Sequence, residues 1–138
     1  MKKSVLLLFI LINSLALAQS PKSQKVKYVR INQKVCPNQK GFQLVLKVIA
    51  NDSRCPEGVT CVWAGEVSAI VSVYKDSKLI EDTNLVFSMK NEENTKKWFA
   101  TYLPAKQKKI KSIRVLPYPK EGNAIDPKEY HLKIGYYK

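Results

Sequence analysis

The feature of this chain that most limits its fold is a two-residue alternation of apolar and polar side chains that returns repeatedly, each run closed by turn residues. Phe42, Leu44, Leu46 and Val48 share one face, with Gln43 and Lys47 opposite. Val67, Ala69, Val71 and Val73 repeat the pattern against Glu66, Ser68, Ile70, Ser72 and Tyr74. Successive side chains of an extended strand point to opposite sides, so each such run can bury one face of a sheet. Weaker runs follow the same rule: Val26, Tyr28 and Arg30 against Lys27, Val29 and Ile31; Leu79–Ile80; Leu85, Phe87 and Met89; Ile113 and Val115; Tyr130, Leu132, Ile134 and Tyr136. No window holds a 3.6-residue apolar period of helical length. Asn91–Asn94 reads as a polar loop or one helical turn; Trp98, Ala100 and Tyr102 can line a strand ended by Pro104, although Lys96–Leu103 is ambiguous between conformations. The expectation is an all-β domain, an antiparallel β-sandwich (Ig-like or related) of about seven to eight strands. A small β-barrel is the alternative.

The N-terminus has a different character. Lys2 and Lys3 precede the apolar run Val5–Ile12, and Ala16-Leu17-Ala18 supplies the small-x-small pattern of a signal-peptidase site. The run is shorter than the roughly 20 apolar residues that span a bilayer. Residues 1–18 therefore read as a signal peptide cut after Ala18, residues 19–25 as a flexible lead-in, and residues 26–138 as a single β-rich domain. The expected location is periplasmic or extracellular. The residue directly after the cut is Gln19 and not a cysteine, which argues against a lipid anchor.

The chain carries a net charge of +13. Two lysines and no acids lie in the leader, so +11 stays with the exported part. Such a balance favours anionic partners or, more plainly, solubility. The one dense cluster holds Lys106, Lys108, Lys109 and Lys111, a candidate anion-binding run that reads equally as a solvated turn. An acidic polymer or an envelope or secreted protein fits as partner; nucleic acid suits an exported chain poorly.

Cys36, Cys55 and Cys61 are the cysteines. An oxidising compartment favours pairing, and Cys55 with Cys61 share a short loop, leaving Cys36 over. The loop Asn51–Gly65 joins the two best strands and is long enough to need a reason. A bridge would close a small ring and stabilise by roughly 2–2.5 kcal/mol. Pro56 narrows the unfolded ensemble. Asp52 suits backbone N–H groups at the loop's start, and Ser53 follows it. Arg54 can pair with Asp52 or a carbonyl. Trp63 is expected to cover the bridge and anchor the loop to the sheet, and Gly65 to let the chain bend into the next strand.

Asp52-Ser53-Arg54-Cys55-Pro56, a four-residue gap, then Cys61-Val62-Trp63-Ala64-Gly65 resembles a pattern in small secreted or lipid-anchored bacterial proteins of uncharacterised function. That pattern also has a strand like Gly41–Ile49 before the motif and a segment like Val115-Leu116-Pro117-Tyr118-Pro119-Lys120 after it. The resemblance spans about residues 26–137 and implies an exported β-rich domain. It brings no activity with it, and Cys36 lies outside it.

The motifs of common enzymes are missing: no Gly-x-Ser-x-Gly, no His-Glu-x-x-His, no phosphate loop. Cys36, Cys55, Cys61 and His131 can be written as a zinc set, but the Cys55–Cys61 spacing is wider than usual and export favours a disulfide; no metal or cofactor is expected. The leading expectation is a non-enzymatic exported domain with a binding or cell-envelope role. The rivals are a hydrolase inhibitor acting through the stapled loop 51–65 and a small secreted enzyme using Cys36, which would need a base such as His131.

Overall fold

A computed structural model of the chain describes residues 24–36 and 40–138. The expected signal peptide, its cleavage site and most of the lead-in lie outside those residues. Among them the chain forms six strands and one α-helix: β1 (Val26–Ile31), β2 (Phe42–Asp52), β3 (Val67–Lys75), β4 (Lys78–Phe87), α1 (Glu92–Tyr102), β5 (Ile110–Leu116) and β6 (His131–Tyr137). Two antiparallel three-stranded sheets result, ordered β1–β6–β5 and β2–β3–β4, and they do not close into a barrel.

The alternation works as expected where the ladder is regular. Val67, Ala69, Val71 and Val73 of β3 are all fully buried. In β2 it breaks. The register with β3 slips between Leu46 and Val48, leaving Lys47 as the extra residue of a bulge. Val45 and Leu46 are therefore both buried and Val48 turns outward, while Ile49 packs on the core. Phe42, placed by its period on the inner face, is 44% exposed.

The count of strands is lower than seven or eight for two reasons. Leu79–Ile80 and Leu85–Phe87 belong to one strand, β4, and Met89 lies beyond it. The segment expected to be a strand through Trp98, Ala100 and Tyr102 is helix α1. Its first turn carries Glu92 and Glu93, which favour a helix N-terminus. Lys96 pairs back to them at 2.8 and 3.2 Å. Thr95, Phe99 and Leu103 repeat at four-residue spacing and are buried. A polar Thr in that stripe hides the helical period; its hydroxyl is satisfied by the Asn91 carbonyl at 2.9 Å. Pro104 disfavours helical geometry at Leu103, which is extended.

Both sheets and the helix share one core: Ile31, Val115, Leu132 and Ile134 from one sheet, Leu46, Val67, Ala69, Val71 and Leu85 from the other, Phe99 and Leu103 from the helical segment. The sheets touch where the Leu46 N–H donates to the Asn32 carbonyl at 3.0 Å.

Candidate functional site

The connection from β2 to β3 has a pinned base and a free tip. At the base its two legs continue the β2–β3 ladder: Ser53 N–H donates to Glu66 O (2.9 Å) and Cys55 N–H to Ala64 O (3.0 Å). Gly65 sits at φ +72°, and a Cβ there would collide with the Ser53 carbonyl group and stand 2.8 Å from Arg54 Cα. Only glycine fits a backbone pressed this closely with this φ.

Arg54 is the hub. Its Nε donates to Asp52 Oδ1 at 2.8 Å and its Nη2 to Asp52 Oδ2 at 2.6 Å, a two-pronged ion pair whose side chains are only 10% and 11% exposed. The remaining donors reach another part of the chain: Nη1 to the Val115 carbonyl (2.6 Å) and Nη2 to the Pro117 carbonyl (3.0 Å). The Tyr118 ring lies 4.8 Å from the guanidinium carbon. Tyr130 Oη donates to Asp52 Oδ2 at 3.0 Å. Burial pushes the Asp52 carboxyl up, but hydrogen bonds from the Arg54 side chain and backbone, with its charge, outweigh that and hold it below the ordinary value. Burial and the bond to Asp52 raise the Tyr130 phenol.

These contacts join the two motif segments noted in the sequence, Asp52–Pro56 and Val115–Lys120. The backbone joins them again: Glu57 N–H donates to Pro119 O (2.9 Å) and Glu121 N–H to Glu57 O (3.2 Å). β5 is an edge strand of its sheet, and Arg54 occupies the outward carbonyl of Val115 there. An edge is covered in this way rather than left as a pairing template. Beside the hub a groove of about 560 Å³ runs between β5 and the β4–α1 junction, with Val67, Phe87 and Val115 in its lining and Arg54, Glu57 and Arg114 along it.

Cys55 and Cys61 form a disulfide with Cα atoms 5.9 Å apart. Inside the ring the Val59 N–H donates to Pro56 O at 3.3 Å across Gly58, whose φ is +94°. From Glu57 to Ala64 every residue is exposed. Trp63 is not packed into the core as an anchor for the loop. It is 65% exposed, with Val62 beside it fully exposed. The anchoring expected of the tryptophan is done by Arg54 and the backbone pairs with residues 119 and 121. The prolines carry the sequence signal for this. Pro117 and Pro119 have no N–H with which to continue a ladder past β5, and their carbonyls take donors from Arg54 and the Glu57 N–H instead.

Lys106 lies in a single 3-10 turn, Lys108 and Lys109 in the link that follows, and Lys111 on β5. All four are exposed. Only Lys111 has a notable neighbour, the Tyr137 ring, 6.0 Å from its Nζ. Cys36 is a free, exposed thiol. With Cys55 and Cys61 bonded to each other, the four-residue zinc set is not available, and among the described residues no group of three His, Cys, Asp or Glu is placed to hold a metal. No helix among the described residues is long and apolar enough to cross a membrane.

Three comparisons frame the site. No protein-family profile matches this chain. No curated protein is significantly similar to it, and no solved structure is either.

Proposed function

We propose that the chain is an exported, non-enzymatic domain of β-sandwich type that works by binding, and that the tip of the stapled loop is its contact surface. The observation that carries this is the Val62–Trp63 pair, an apolar dipeptide held out in solvent on a loop whose base is buried. A large aromatic on a pre-organised loop loses little freedom on binding and contributes much contact area, which is the pattern of interface anchors. The disulfide fits an oxidising compartment, and the signal-peptide pattern of residues 1–18 gives the route. The resemblance to small secreted bacterial proteins points the same way. The partner is an envelope or secreted protein.

A photo-crosslinking residue at position 62 tests this, with the same residue at Lys78 as a control. Discrete adducts with one envelope or secreted protein from position 62, lost in Trp63→Ser, support the reading. Identical weak adducts from both positions contradict it.

A second reading draws on the same geometry: a stapled, protruding loop suits insertion into an enzyme cleft, so the partner can be a hydrolase that the domain inhibits. Inhibition of a secreted hydrolase panel, relieved by Trp63→Ser, separates it from simple binding. The Cys36 enzyme reading lacks its base: Cys36 lines a pocket of about 270 Å³ with Arg30, Lys34, Gln43 and Tyr102, and His131 is not among the lining residues. Inertness of Cys36 to catalytic-thiol inhibitors under turnover conditions would dispose of it.

A further inference from the structure

A second surface lies on the outer face of the β1–β6–β5 sheet. Arg30 on β1 stands directly opposite Lys133 on β6, and Lys133 directly opposite Arg114 on β5. All three are exposed, and none forms an ion pair among the described residues. Like charges at directly opposed positions destabilise a sheet, so folding gives no reason for three cations in one row. With strands about 4.8 Å apart, the row is about 10 Å long. The opposite face of the same strands holds Ile31, Val115, Leu132 and Ile134 in the core. The outward residues are therefore not needed for packing.

Beside the row is a flat aromatic floor. Tyr28 stands opposite Gly135, and Gly135 opposite Ser112. A Cβ on Gly135 would stand 3.1 Å from the Tyr28 ring and 3.0 Å from Ser112 Oγ, so the ring lies across the sheet where a side chain is missing. Lys133 Nζ is 4.4 Å from the ring centroid, yet Tyr28 keeps 59% of its surface open. Lys111, over Tyr137, adds a cation on the far side of the floor.

We propose that this face docks a linear acidic polysaccharide, its carboxylates or sulfates paired to Arg30, Lys133 and Arg114 and one sugar ring resting its C–H face on Tyr28. Evenly spaced cations match a polymer that repeats its anions. The two guanidinium groups offer the planar fork that fits carboxylate and sulfate oxygens. A bilayer would need apolar side chains to sink into it, and on this sheet Tyr28 is the one large apolar side chain that is widely exposed. An exported protein meets envelope and extracellular glycans, whereas nucleic acid is not the usual polymer there.

The test is calorimetric binding of the purified protein to polygalacturonate, with neutral dextran as the blank, at low and moderate salt. The triple variant Arg30→Ser/Arg114→Ser/Lys133→Ser is compared with Lys78→Ser/Lys90→Ser/Lys97→Ser, which removes the same charge elsewhere. The expected result is a loss on the order of tenfold or more in the first and little change in the second. Tyr28→Ala should lose about threefold, and Lys133→Ser should show the largest loss of the three row singles. Wild-type affinity should fall steeply with salt. The row variant should unfold in urea no earlier than wild type, because a repulsive row has been removed. Equal losses in the two triples would mean that net charge alone binds the polymer and would overturn the proposal. So would absence of wild-type binding at low salt, or tighter binding to phosphatidylglycerol vesicles or single-stranded DNA than to polygalacturonate.

Discussion

The base and the tip of the β2–β3 connection are a few residues apart and physically opposite. At the base, Asp52 and Arg54 are charged, nearly buried and tied to four partners: each other, the carbonyls of Val115 on β5 and Pro117 just past it, and Tyr130. At the tip, Val62 and Trp63 are apolar and exposed. Ordinary partitioning would reverse them. The inversion separates two roles that a motif merges. The charged residues close an edge of the fold, Arg54 pairing with Asp52 and with backbone carbonyls. The tryptophan, which reads in the sequence as the loop's anchor, is 65% exposed.

That contrast can be broken most severely at Gly65. Gly65→Ala places a side chain into the Ser53 backbone at positive φ, and should cost more than about 3 kcal/mol, enough to empty the soluble fraction of folded protein. Near-normal yield and circular dichroism would show that the two legs are not packed as closely as described.

Next in size is the hub. Arg54→Met leaves Asp52 nearly buried without its cation and frees two carbonyls, at about 3 kcal/mol in urea unfolding. Asp52→Asn/Arg54→Met should recover part of that loss, since the stranded charge goes too. No recovery would mean that the carbonyl contacts, not the ion pair, dominate.

The pH dependence sharpens the same point. Asp52 and Asp82 both have lowered carboxyls, the second because Lys47 and Ser72 donate to it. In the window below the ordinary carboxylate value of about 3.9 the folded state binds fewer protons than the unfolded one. Stability conferred by these groups is therefore present above that value and lost as pH falls through the lowered one. Asp52→Asn and Asp82→Asn should each flatten the acid limb of the stability curve in part. An unchanged limb in both would remove the hub from the account of acid stability.

The disulfide is intermediate. Cys55→Ser/Cys61→Ser should cost roughly 2 kcal/mol, while the ladder bonds at residues 53 and 55 keep the base folded. Hydrogen exchange should then rise at Glu57–Ala64 and not at Ser53–Cys55. Equal loss of protection in both would make the bridge, not Arg54, the anchor.

How much of this was legible follows from what each signal encodes. The β3 and β6 alternations placed their buried residues because the irregularities of their ladders fall on the partner strands, at Lys47 and Ala50 of β2, Ile80 of β4 and Lys111 of β5. The bulge at Lys47 was not legible, since an extra residue leaves composition unchanged and shifts only the register. Helix α1 was hidden by Thr95, a polar residue inside a buried stripe, and is held mainly by Phe99 in the core. The Arg54 contacts with residues 115 and 117 depend on topology that no local spacing contains, although two prolines lacking N–H groups mark where a ladder past β5 cannot continue. The row of Arg30, Lys133 and Arg114 exists only once strand register is known; along the chain the three are ordinary scattered cations.

Urea unfolding of Trp63→Ser beside Arg54→Met shows whether the tip contributes contact and not stability. The prediction is a midpoint for Trp63→Ser within about 0.5 kcal/mol of wild type, with Arg54→Met clearly lower at an unchanged slope. A Trp63→Ser midpoint as low as that of Arg54→Met would place the tryptophan in the fold and contradict the division of the loop into a structural base and a contact tip.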